Sequence, residues 1–187
     1  MRIGYLRMII LALVVMLHAQ CGENTRDAED VSYSIAEKHV KIWDVAIDQV
    51  LELVDSMPDD QLNFRPHDSI RTFSEQIIHI GISSEMITNL FLKDIPRPQN
   101  IPEVKAAEMT KEDLKAFVKA RLEVARENIA GMSNDQLLHE EVKSYMGNTM
   151  TRLEGMMFAH DHLTNHKAKA NLYIRIAGIR PPTYRYY

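Results

Sequence analysis

The sequence predicts an all-α fold, a bundle of four long helices, on three observations. Glycine and proline are scarce in the 187 residues, seven of each, so long stretches run without a breaker. A Ser or Thr stands three residues before Glu, Gln or Asp at Thr72/Glu75, Thr110/Asp113, Ser133/Gln136 and Thr151/Glu154. That spacing is the capping box that opens a helix. Between these signals, apolar residues return every three or four positions and draw a single buried stripe.

The first helix carries its stripe on Tyr33, Ala36, Val40, Trp43, Ile47, Val50 and Val54. It ends near Ser56, because Pro58 cannot continue the hydrogen-bond ladder. Leu62-Asn63-Phe64-Arg65-Pro66 reads as an extended connector. The second helix runs from the Thr72 box through His79 to about Leu92, burying Phe73, Ile77, Ile80, Ile87 and Phe91. Residues 93–109 hold Pro96, Pro98 and Pro102 and form a long loop, of a length that often borders a functional site. Thr110 opens a third helix reaching Ala130, and Ser133 a short additional piece. Met146-Gly147-Asn148 is a turn, and Thr151 opens the last helix, which ends near Ala177.

The first twenty residues stand apart from the fold. Arg2 and Arg7 precede an unbroken apolar run from Met8 to Leu17, the layout of an export signal and too short to span a bilayer, which takes ~20 residues. Cys21 is the only cysteine, so no internal disulfide exists, and its place just after the apolar run fits the lipidated cysteine of a bacterial lipoprotein. His18 and Gln20 depart from the usual lipobox, and ordinary cleavage after Leu17-His18-Ala19 is the rival reading. The expected layout is a signal over 1–20, a tether over 21–32, the bundle over 33–182 and a tail over 183–187. The protein is then exported to the cell envelope, touching the membrane only through a lipid anchor.

Apolar residues make up 45% and charged residues 26%, an ordinary globular composition. With Arg2 and Arg7 set aside, 20 basic groups face 26 acidic ones, a net charge of −6. No basic patch stands out, which argues against nucleic acid as a partner.

The last helix contains His162-Leu163-Thr164-Asn165-His166. Two imidazoles four residues apart lie ~40° round and ~6 Å along a helix, so both can reach one ion. Two exposed histidines sharing a face by accident is the alternative at this point. Tyr173 returns to the same face, and Lys169 follows His166 by about one turn; there it would favour an anionic substrate or simply be solvated. His160 projects to nearly the opposite side. His39 reads as packing on the first helix, and His67 and His139 as connector residues. Met156 and Met157 are core fillers or pocket lining.

Two blocks of this sequence resemble a known family. Met57-Pro58, Phe64-Arg65-Pro66 and Arg71-Thr72-Phe73-Ser74-Glu75-Gln76 with His79 resemble the second-helix signature of the DinB/YfiT-like proteins. His162-x-x-x-His166, followed by Tyr173, Arg175, Gly178, Ile179, Pro181 and Pro182, resembles their last helix. The resemblance covers about residues 33–182. It implies an up-down-down-up four-helix bundle holding one divalent metal through three histidines, which map here to His79, His162 and His166. The chain departs from the family pattern at Ala168-Lys169, where a Gly-Gln pair is frequent.

Three neutral imidazoles leave the double charge of a cation uncancelled and at least one coordination position open, as in catalytic sites. Zinc or nickel suits the donors, with iron and manganese also compatible. Glu75, one turn before His79, is a candidate partner for a ligand ring, against its role as the capping-box acid. Three functions compete. The first is a metal-dependent enzyme acting on a small molecule, either a thiol-dependent transferase, as in similar characterised proteins, or a hydrolase that activates water. Export separates the chain from the cytoplasmic thiols and favours water. The second is a non-catalytic metal- or ligand-binding lipoprotein. The third is a scaffold that pairs into a homodimer.

Overall fold

The computed structural model describes residues 33–100 and 103–186. The export segment over 1–20, Cys21 and the tether over 21–32 lie outside the described residues. Four long helices form as expected: α1 (Ile35–Ser56), α2 (Phe73–Lys93), α3 (Lys111–Ala130) and α5 (Arg152–Ile176), with a short α4 (Asn134–His139) before the last. Each expected capping box closes in both directions. Thr72, Thr110, Ser133 and Thr151 accept from the backbone three residues on, and the acid or amide there reaches back to the cap. Two orphan donors at each helix start are thereby satisfied.

Pairings along the helices give their directions. Asp44 pairs with Arg126 and Asp55 with Lys115, so α1 and α3 are antiparallel. Glu85 pairs with Arg121, while Thr88 and Asn89 bond Asn128, so α2 and α3 are parallel. Gln76 meets His166 and Phe91 meets Gly155, so α2 and α5 are antiparallel. With α1 up, α2 and α3 run down and α5 runs up, the order the family resemblance implied. α2 packs against α3 and α5, and α1 packs against the same two, leaving α1 and α2 across the diagonal.

The core is the sum of the four stripes. Trp43, Phe73, Ile77, Ile80, Leu114, Leu122, Ile129, Met156 and Leu163 are fully buried, each large side chain contributing roughly 1.5–3 kcal/mol. Trp43 also donates its indole N–H to the Leu122 carbonyl at 3.1 Å, which ties α1 to α3. Gly155 lets α5 approach α2, since a Cβ there would fall 2.7 Å from that of Phe91. Gly178 (φ +79°) ends α5: its N–H reaches the Arg175 carbonyl and the N–H of Ile179 reaches Ile174. That is the Schellman pattern, which favours a residue without a Cβ.

Four details differ from the sequence expectation. Tyr33 is 57% exposed and precedes the helix, because Ser34 takes the cap. His139 ends α4 rather than sitting in a connector. Residues around the Met146-Gly147-Asn148 turn form a two-stranded hairpin, β1 (Glu141–Lys143) with β2 (Thr149–Thr151), antiparallel. Finally, the loop after α2 does not border the histidine cluster. Asp94 pairs with Arg152 at 2.6 Å at the C-terminal end of α2, residues 103–109 run back to the first turns of α3, and none of the described loop residues lines the cavity beside the histidines. Among the described residues, no helix is long and apolar enough to cross a membrane.

Candidate metal centre

The connector between α1 and α2, not the later loop, builds one wall of the site. It is pinned to the first turn of α2: Phe73 N–H donates to the Phe64 carbonyl, and both the N–H and hydroxyl of Ser74 donate to Leu62. Arg65 donates to the Ile70 carbonyl and pairs with Glu75 at 3.2 Å. His67 holds the turn locally, its ring nitrogen accepting from the Ser69 N–H. These bonds fix Arg71 at the mouth of the site and start α2 so that Gln76 and His79, three residues apart, share the face towards α5.

On the opposing helix, His162 and His166 meet that face. One ring nitrogen of each of His79, His162 and His166 lies within 4.8 Å of the others. The ring centroids are 5.5 Å (His79–His162), 4.3 Å (His79–His166) and 4.5 Å (His162–His166) apart. The Nε2 atoms of His79 and His166 are 3.1 Å apart, close to the ~3.3 Å that two nitrogens take when each is ~2.0–2.1 Å from one tetrahedral ion.

Two further observations test whether these residues suit a cation. The Nε2 of His162 is buried without a hydrogen-bond partner, a costly state for a polar atom unless something else uses its lone pair. All three rings are also held neutral at neutral pH. Burial, then the charge of Arg71 and of the neighbouring imidazole and lysine, lowers His79 to about 4. Burial and the other two histidines lower His166 to about 3, and burial lowers His162 as well. A neutral imidazole is the ligating form, and three of them fit a divalent ion.

Gln76, which sequence reasoning did not single out as functional, is the partner of a ligand ring. It is 2% exposed. Its amide nitrogen lies 2.6 Å from His166 Nδ1 and donates to the His166 carbonyl at 3.2 Å. Its position three residues before His79 was the available signal. Glu75 does not take this role: its carboxylate closes the capping box on the Thr72 N–H at 2.7 Å and pairs with Arg65.

A cavity of about 480 Å³ opens beside the cluster, lined by Arg71, Gln76, Lys169 and Tyr173 together with Glu75 and connector residues. Tyr173 is 5% exposed, and burial pushes its phenol up from its ordinary value. Lys169 is exposed at the mouth, and its charge and that of Arg71 reach all three imidazoles. The other expected residues fall elsewhere. His160 stacks edge-on against His39 at 5.1 Å and packs on Trp43, on the far side of α5. Met156 is core, and Met157 is on the surface.

An all-α bundle with a three-histidine group that could hold a metal ion is the class this fold and site define. Residues 42–169 match the DinB superfamily, and the chain belongs to that family. Among solved structures, a DinB-like protein of Bacillus subtilis superposes with a TM-score of 0.67 at 20% identity, covering 80% of this chain and 99% of that one. A DinB-like protein of Bacillus cereus gives 0.62 at 15% identity, covering 81% and 98%. A conserved protein of Enterococcus faecalis gives 0.61 at 15%, covering 77% and 97%. Likeness at these identities speaks for the fold. No curated protein matches the chain.

Proposed function

We propose that the chain is a divalent-metal-dependent enzyme acting on a small anionic molecule, exported and held at the cell envelope through Cys21. The observation that carries the reading is the orphaned Nε2 of His162 among three neutral rings beside an open cavity. His79, His162 and His166 would hold the ion. Bound there, the ion would act as a Lewis acid and activate water or a thiol.

The remaining work falls to the chain's own side chains. Gln76 lies against Nδ1 of His166 and so fixes the plane of that ring. Arg71 and Lys169, neither with a carboxylate partner among the described residues, supply positive potential at the cavity mouth and draw in an anion. Tyr173 keeps its proton across the neutral range and can donate a hydrogen bond from the cavity wall. Export away from the cytoplasmic thiols favours water as the activated group, and hence hydrolysis.

Elemental analysis of protein purified without an affinity tag tests the first step, with about one zinc, nickel, iron or manganese per chain expected. Turnover panels of small anionic esters and amides, then of thiols with electrophiles, test the second. Metal without turnover in either panel would favour a binding role at the envelope; no metal would leave a scaffold.

A further inference from the structure

The side of α5 that turns away from the histidines forms a second site. Thr164, Lys167, Asn171 and Arg175 lie roughly 180° round the helix from His162, His166, Lys169 and Tyr173. After Gly178 the chain folds back over α1. There the Gln49 amide donates to the Arg185 carbonyl at 2.6 Å, and the Arg185 guanidinium clasps Glu52 through two bonds of 2.6 and 2.9 Å. The strap closes a cavity of about 280 Å³ between α1, α5 and the tail, with Leu53 and Tyr184 on its apolar walls. That volume is at the small end of ligand pockets, which start at roughly 300 Å³.

The charge inside this cavity is unbalanced. Lys167 is half-buried, and its ammonium donates to the Gln49 side-chain oxygen at 2.6 Å and stands 5.5 Å from the centre of the Tyr184 ring. Arg175 gives one N–H to Asn171 and has no acid partner among the described residues. Among the described residues no carboxylate lines the cavity, and Glu52 of α1 is taken by Arg185. A half-buried ammonium bears a desolvation cost that a neutral side chain bonded to Gln49 would avoid. Donors left over on Lys167 and Arg175 face the same space.

We propose that this cavity binds a small organic anion, a carboxylate on an apolar body of about one ring. The carboxylate lies between Lys167 and Arg175 and the ring lies against Tyr184. The site is separate from the histidine cluster and stands whether or not a metal binds there.

Titration of chelator-treated protein with benzoate, followed by calorimetry and by backbone amide shifts, tests it. Saturable binding is expected, with shifts at Gln49, Lys167, Asn171 and Tyr184. Affinity should fall about tenfold or more for neutral benzamide and for Lys167→Met, the loss of a charge-assisted bond. Arg175→Gln should weaken it as well and covers the case in which Lys167→Met does not fold. His162→Ala should bind benzoate as the parent does. Absence of saturation, equal binding of benzamide, or unchanged affinity in the folded variants would overturn the proposal. Loss of binding in His162→Ala would also overturn it, by placing the anion at the histidines.

Discussion

His162 and His160 are two residues apart on α5 and meet opposite surroundings, which makes them a matched pair of probes. His162→Ala and His166→Ala should each abolish stoichiometric metal while leaving far-ultraviolet circular dichroism unchanged. His160→Ala should bind metal as the parent does. Retention of one equivalent by either of the first two would refute the ligand set. Gln76→Leu removes the partner of His166 without touching a ligand, and metal affinity should drop about 10–100-fold, measured by competition with a chromophoric chelator. If only stability fell and affinity held, Gln76 would be a core residue and nothing more. Arg71→Gln with Lys169→Gln should raise KM for an anionic substrate more than it lowers kcat, because those charges act on approach rather than on the reacting atoms.

At the level of elements, the site depends on how closely and at what register α2 meets α5. Gly155 sets the closeness: Gly155→Val should cost about 1–3 kcal/mol by overpacking against Phe91, read from urea unfolding. Arg152 sets the register at the same end. It is 8% exposed and bonds Glu140 at 2.6 Å, Asp94 at 2.6 Å and the Phe91 carbonyl at 3.0 Å, joining α5 to the end of α2 and to the residue after α4. Arg152→Met should cost about 1–3 kcal/mol, chiefly through the buried carbonyl left without a donor. A loss below about 0.5 kcal/mol, within the range of ordinary surface changes, would show that the ion pairs are solvated and contribute little.

For the whole molecule, the buried histidines tie stability to pH. His39, packed against Trp43 and His160 between α1 and α5, is lowered by burial and then by His160 from 6.5 to about 4. The unfolded chain therefore takes up a proton at higher pH than the folded one. The stabilising contribution is complete above about pH 6.5 and disappears as pH falls through about 4. At 1.36 kcal/mol per pKa unit, and allowing for the ring's partial exposure, His39 accounts for about 1–2 kcal/mol. Metal-free protein should lose stability over that window in chemical denaturation, and His39→Phe should lose less. A parallel loss in the variant would place the pH dependence elsewhere.

The sequence by itself determined the elements and their faces. Capping boxes, prolines and stripes such as Phe73-Ile77-Ile80-Ile87-Phe91 are local, because helix ends are satisfied within a few residues and periodicity alone decides which side is buried. It also determined that His162 and His166 share a face, and a two-block resemblance brought in His79. What it could not supply is anything that depends on which helix stands opposite. Gln76 against His166, Arg152 across three elements, and the connector rather than the later loop beside the histidines are all contacts between distant positions. The hairpin is not legible in the sequence, because strands of three residues carry too little alternation. The second cavity, with Lys167 beneath the returning tail, exists only once α1, α5 and residues 182–185 are brought together. Helices form from neighbours in the chain; sites form from neighbours in space, and the packing of α5 between α1 and α2 decides which those are.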